Sequence, residues 1–252
     1  MLAKLLNLRK RAPEFVPAME EGLRVYAIGD IHGRLDLLDM LLPRIEADHA
    51  SRPPAERHII FLGDLVDRGP DSAGVIERVR ALCAADPNVH CLMGNHEEIM
   101  LRSLEGEDKA LRLFCRVGGR ETMISYGVTP EEYERLDYAE VTERLNAVVP
   151  ASHRDFLAAL KEIMVLGDYV FVHAGVRPGV AIADQKLAET RWIRDAFLEH
   201  RGVLEKVVVH GHTVADEAEL LPHRIGIDTG AYQTDRLTAL MLEGSQQEIF
   251  ST

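Results

Sequence analysis

The chain is predicted to fold as an α/β protein, and three observations carry that expectation. Short apolar runs lie at Arg24 to Ile28, His58 to Leu62, Val89 to Met93, Tyr169 to Val172 and Lys206 to Val209. They have the length and the β-branched content of buried strands. Stretches with helical spacing separate the first three runs, which implies a sheet covered on both faces. Each run passes directly into glycine-bearing polar residues: GDIHG (29–33), GDLVDRG (63–69), GNHE (94–97), HAG (173–175) and HGH (210–212). With 252 residues, 46 % of them hydrophobic, the chain has material for one large core.

Taken in order, residues 1–20 read as a frayed or loosely docked arm, leaving 21–252 as a single domain. The opening MLAKLLNLRKRAPEF mixes leucines with basic residues and lacks a long apolar region and a cleavage site. After the first strand, Leu35, Leu38, Leu42 and Ile45 have helical spacing, and Pro43 is expected to kink or end that helix. GDLVDRG could be an ordinary surface turn, since Gly and Asp are turn residues. Val75 to Leu82 reads as the next helix. In GNHE, Asn95 could cap a helix whose dipole favours Glu97 and Glu98. Residues 98–168 read as a helical insert, with Leu101, Leu104, Leu111 and Leu113, then Glu131 to Leu145, then Phe156 to Ile163. The insert is either a cap over the strand ends that selects the substrate, or a layer that only covers the sheet.

Ligands of open α/β sheets bind at the carboxyl ends of the strands, where all five motifs fall. Asp30, His32, Asp64, Asn95, His173, His210 and His212 can therefore converge. Oxygen and imidazole donors without a thiolate suit Mn, Fe or Zn better than Ca or Mg. A net charge of -12 argues against general affinity for nucleic acid or anionic membranes, so any phosphate recognition must be local. No apolar run approaches the ~18 residues of a transmembrane helix. The three cysteines, Cys83, Cys91 and Cys115, form no CxxC pair and fit a reduced, cytoplasmic protein. Cys83 and Cys91 sit on apolar faces and read as core.

The series GDIHG, GDLVDRG, GNHE, HAG and HGHT resembles the calcineurin-like metallophosphoesterases, and within them the PPP-type phosphoprotein phosphatases. Gly118-Gly119 and Ser125-Tyr126-Gly127 are similar to a segment of the compact bacterial and phage members, which include lambda phosphatase and the diadenosine tetraphosphatases. The resemblance implies a β-sandwich flanked by helices and a dinuclear centre, with Mn as the expected metal and Fe or Zn as alternatives. Asp30, His32 and Asp64 would hold one ion, and Asp64 would bridge to a second held by Asn95, His173 and His212, with His210 behind. Asn95 would also face the substrate. Arg68 and Arg194, the latter in a WxR segment, would clamp phosphate oxygens. His96 would be the general acid, oriented by Asp67.

Such a centre would hydrolyse phosphomonoesters with a hydroxide shared by the two ions. Serine/threonine phosphoproteins are the first expectation, with phosphotyrosine as a further substrate of the same enzyme and dinucleoside polyphosphates as the alternative. The partner is thus a phosphorylated protein or a small phosphoester, with no nucleic acid or membrane. The SAPNYC-type loop of the eukaryotic enzymes is replaced by Asp228-Thr-Gly-Ala-Tyr232, which makes Tyr232 an active-site neighbour and implies no regulatory subunit.

Overall fold

In the computed structural model, residues 16–252 are described; most of the expected arm lies outside them. Its last residues are docked. Met19 is buried and its N–H donates to the Gly244 carbonyl at 2.7 Å, while Ala18 exchanges hydrogen bonds with Asp168.

Among the described residues, ten strands form two mixed five-stranded sheets packed face to face. The first has the order β10-β9-β1-β2-β3, with β1 (Leu23–Ile28), β2 (Glu56–Phe61) and β3 (Val89–Cys91) parallel and β9 (Thr238–Glu243) and β10 (Gln246–Ser251) antiparallel at one edge. The second has the order β4-β5-β6-β8-β7. Its β5 (Tyr169–Val172), β6 (Val207–His210) and β8 (Arg224–Gly226) are parallel, with β4 (Ile163–Leu166) and β7 (Glu219–Leu221) closing the edges.

Alternation along the strands builds three cores. Val25, Ala27, Ile60, Leu240 and Leu242 of the first sheet meet Tyr169, Phe171, Val207, Val209 and Ile225 of the second in the sandwich interior. Tyr26, Ile28, Phe61 and Met241 turn outward, under α1 (Leu35–Ser51), α2 (Ser72–Ala85) and α3 (Asn95–Leu104). Val170, Val172 and Val208 turn outward on the other side, against Ile193 and Phe197.

Pro43 neither ends nor interrupts α1, which runs seventeen residues through it. Pro43 and Asp39 both lie on the exposed side of the helix, where water can take the carbonyl that loses its partner. Leu37, Leu38, Leu41, Leu42 and Ile45 anchor both halves to the core.

The insert supplies α4 (Asp108–Val117), α5 (Gly119–Ser125), α6 (Pro130–Tyr133), α7 (Tyr138–Val148) and α8 (Ala151–Ala158). Leu111, Phe114, Met123, Leu145 and Leu157 join the same core as α1 and α2. Its helical pattern stops earlier than expected: α8 ends at Ala158 and Ile163 opens β4, because Ile163 to Leu166 pairs antiparallel with β5. Among the described residues, no helix is long and apolar enough to cross a membrane.

Candidate metal centre

The carboxyl ends of β1, β2, β3, β5 and β6 converge at one rim of the sandwich, and each delivers side chains there. Asp30 and His32 follow β1, Asp64 follows β2, Asn95 opens α3 after β3, His173 follows β5 and His212 follows β6. All six are buried. The first sheet contributes Asp30, His32, Asp64 and Asn95, the second His173 and His212.

Asp64 stands at the centre. Its Oδ2 lies 3.5 Å from His32 Nε2 and 3.9 Å from His96 Nε2, and its Oδ1 lies 3.4 Å from His173 Nε2. Two groups of donors thus share one carboxylate: His32, Asp64 and His96, and Asp64, His173 and His212. Asn95 Oδ1 is 2.9 Å from His173 Nε2, and His212 Nδ1 is 3.2 Å from the same nitrogen. Asp30 sits to one side, with both oxygens accepting the His212 N–H at 3.1 and 3.0 Å. His210 is buried behind the rim.

Backbone carbonyls set the tautomers. His32 Nδ1 donates to the Val66 carbonyl at 2.7 Å and His173 Nδ1 to the Leu62 carbonyl at 2.9 Å, which leaves each Nε2 without a proton at the rim. Burial pushes His32 down to about 3 and lowers His173; burial and His173 push His212 down to about 2. The imidazoles are therefore neutral donors. Burial works against ionisation of Asp64; the surrounding imidazoles, His173 first, pull its carboxyl far below the usual range only as far as they carry charge, and of them His96 is the one raised above its ordinary value.

This donor set fits a pair of divalent ions. Buried neutral imidazoles and carboxylates surround one point, His212 Nε2 has no hydrogen-bond partner, and no thiolate is present. The charge balance agrees: burial and the Asp228 and Asp64 carboxylates push Asp30 well above its usual value, so the rim has more negative charge than its side chains offset.

Beside the donors, His96 Nδ1 lies 2.6 Å from Asp67 Oδ2. Burial lowers His96, but Asp64 and Asp67 outweigh it and raise the imidazole above its ordinary value. Arg68 donates from Nη1 to His32 Nε2 at 2.9 Å and from Nη2 to His96 Nε2 at 3.0 Å. Tyr232 lies under that guanidinium, 4.7 Å from ring centre to Cζ, with its ring centre 5.5 Å from that of His32. Arg194 is exposed on the His212 side and has one long hydrogen bond, 3.4 Å to Thr213 Oγ1.

The backbone is under tension here. Among the described residues, His32, Asp64, Asp67, Arg68 and His212 have φ of 47°, 50°, 71°, 68° and 64°, a region that side chains other than glycine visit rarely. Gly94 and Gly211 permit the close approach: a Cβ on either would collide with a carboxylate oxygen, of Asp64 and Asp30 respectively.

Sequence reasoning missed two carboxylates. Glu97 is buried and accepts the N–H groups of Asp64 at 2.8 Å, Leu65 at 2.7 Å and Gly94 at 3.0 Å, so it braces the GDLVDRG loop. Asp228 is buried at the end of β8; Oδ1 accepts the Gly230 N–H at 2.9 Å and Oδ2 has no partner. Burial pushes it up to about 6. Recognising β8 as a strand would have exposed Asp228 by the same strand-end rule that found the others.

Two solved structures share the architecture. One, provisionally described as a diadenosine tetraphosphatase, aligns over 94 % of this chain and 98 % of its own, with a TM-score of 0.63 at 20 % identity. A cold-active protein tyrosine phosphatase aligns over 92 % and 81 %, with a TM-score of 0.57 at 19 % identity. Among sequences, bis(5'-nucleosyl)-tetraphosphatase PrpE [asymmetrical] of Anoxybacillus flavithermus is 30 % identical over 234 residues, covering 84 % of this chain and 88 % of that protein. The PrpE of Bacillus thuringiensis is 28 % identical over 237 residues with the same coverage. The sequence model for calcineurin-like phosphoesterases matches residues 23–239, across every strand end that feeds the rim, and the chain belongs to that family of metal-dependent phosphoester hydrolases.

Proposed function

We propose that the chain is a dinuclear-metal phosphohydrolase whose substrate is a dinucleoside polyphosphate. The observation that carries the chemistry is the sharing of Asp64 between two donor groups, with Arg68 alongside. His32 and Asp64 would hold one ion together with Asp30, which here accepts the His212 N–H, leaving His96 of that donor group as an acid, and Asp64, Asn95, His173 and His212 would hold the other. Divalent ions there supply Lewis acidity, drawing charge from the phosphoryl group and lowering the pKa of water.

The remaining steps belong to side chains. Arg68, whose Nη1 and Nη2 here donate to His32 and His96, would turn that fork to two phosphate oxygens, with the Tyr232 ring lying under its plane. Arg194 would approach from the His212 side, and Asn95 would offer its amide to the substrate. His96, held by Asp67, would donate a proton to a leaving oxygen that needs one.

The substrate choice reverses the order expected from the sequence, where phosphoproteins came first. Relatives covering 84 % of the chain are named tetraphosphatases, whereas the phosphatase-named structures are below 25 % identity and speak for the fold alone. A second observation supports a nucleoside. Trp192, in α9 (Leu187–Trp192), is exposed beside His212, 6.5 Å between ring centres, and Glu98 pins its indole N–H at 2.7 Å. A rigid, open aromatic face at the rim suits a base. The insert, through Glu98 and α5, would act on substrate and acid together. Unpaired cysteines fit a cytoplasmic setting.

The test is a comparison of diadenosine tetraphosphate with phosphoserine and phosphotyrosine peptides in Mn, with products separated by chromatography. Turnover of the dinucleotide to ATP and AMP is expected. Peptide turnover without dinucleotide turnover would return the reading to a protein phosphatase.

A further inference from the structure

The helical insert reaches into the reaction through one hydroxyl. Thr122, on α5, is fully buried and lies 55 residues from Asp67 in the chain. Its Oγ1 donates to Asp67 Oδ1 at 2.6 Å, accepts the Asp67 N–H at 2.9 Å and lies 3.0 Å from Ser72 Oγ. A carboxylate can only accept, so the single Thr122 proton goes to Asp67 and both of its lone pairs face donors. Every hydrogen-bonding capacity of that oxygen is used on one residue and its neighbour.

The consequence for Asp67 is orientation. With Oδ1 held by Thr122, Oδ2 is turned to His96 Nδ1, and the left-handed backbone of Asp67 is tied by its N–H to both Ser72 and Thr122. The same insert meets the next residue as well: Arg68 N–H donates to the Gly118 carbonyl at 3.3 Å, and a Cβ on Gly118 would stand 2.5 Å from that nitrogen. Ser125 Oγ accepts the Ala73 N–H at 3.0 Å, fastening α5 to the start of α2.

We propose that Thr122 is a positioning residue that aims His96 at the leaving oxygen by fixing the Asp67 carboxylate. The inference rests on the reading of His96 as the proton donor. Without the hydroxyl, Asp67 can rotate, and the imidazole loses its fixed direction while the arginines and the metal-type donors stay in place.

The experiment compares p-nitrophenyl phosphate, whose phenolate leaves unaided, with phenyl phosphate, which needs more proton assistance, at metal contents measured by elemental analysis. Thr122→Val keeps the shape and removes the hydroxyl. It should slow phenyl phosphate about tenfold more than p-nitrophenyl phosphate, the scale of one charge-assisted hydrogen bond, with metal content unchanged. Thr122→Ser, which restores the hydroxyl, should bring the ratio back. If Val does not fold at this position, Thr122→Ala carries the same comparison. Equal losses on both substrates, or a Ser variant that leaves the ratio as in Val, would overturn the proposal. His96→Asn separates the two levels: if it shows the leaving-group effect and Thr122→Val does not, the positioning role alone is wrong. If neither shows it, the acid assignment falls first and the inference with it.

Discussion

The guanidinium of Arg68 stacks on the Tyr232 ring at 4.7 Å while its two Nη atoms point to His32 and His96. A fork held in this way is matched to a group with two oxygens in a plane, and a point charge cannot reproduce it. Arg68→Ala and Arg194→Ala should each lower kcat/KM about 10²-fold, the usual scale for a lost oxyanion donor, and weaken inhibition by inorganic phosphate. Arg68→Lys should recover only part of the loss. The double alanine variant should lose less than the product of the singles, because both grip one group. Arg191, three residues before Arg194, pairs instead with Glu98 at 2.9 Å and with Glu162, so Arg191→Ala should lower the melting temperature and release Trp192. Undiminished phosphate inhibition in Arg194→Ala would remove the second clamp.

Exhaustive chelation should abolish turnover, and Mn should restore it best. Asp64→Asn should retain less metal than Asp30→Asn by elemental analysis, since Asp64 faces both donor groups and Asp30 spends its oxygens on the His212 N–H. Small, equal losses in the two variants would count against a shared carboxylate.

His96→Asn should keep its metal and lose phenyl phosphate turnover by 10² or more, with a much smaller loss on p-nitrophenyl phosphate. Equal slowing would mean that the imidazole holds the site together and donates no proton.

Trp192 is the chain's single tryptophan, so intrinsic fluorescence reports on this residue alone. A non-hydrolysable diadenosine tetraphosphate analogue should quench it, and inorganic phosphate should not. Trp192→Ala should raise KM for the dinucleotide far more than for p-nitrophenyl phosphate. Equal quenching by phosphate would point to a change at the rim in place of base stacking.

Much of the site was legible because its residues occupy strand ends, and β1, β2, β3, β5 and β6 were all marked by apolar, mostly β-branched runs. The strands that escaped have physical reasons. β9 reads Thr-Ala-Leu-Met-Leu-Glu, built of helix-favouring residues and buried on both faces, so neither propensity nor alternation marks it. β7 and β8 have three residues each. Asp228 was missed along with β8. Thr122 and Glu97 act through hydrogen bonds between distant segments, which no local pattern announces, and the left-handed backbone of Asp64, Asp67 and Arg68 is imposed by tertiary contacts.

The rim is assembled from both halves of the sandwich: Asp64 from one sheet meets His173 from the other at 3.4 Å, and Asp30 of the first holds the His212 N–H of the second. Relative shear of the sheets by a single residue step, ~3.3 Å, would pull these pairs apart. Alignment of the reacting groups is therefore guarded by residues that never approach them. A cavity opened in the interlayer at Phe171 or Ile60 could cost turnover before it costs the fold, since a misplacement of ~1 Å is enough to lose about 10²-fold in rate. A loss of register between the layers would silence the rim in a protein that is still folded.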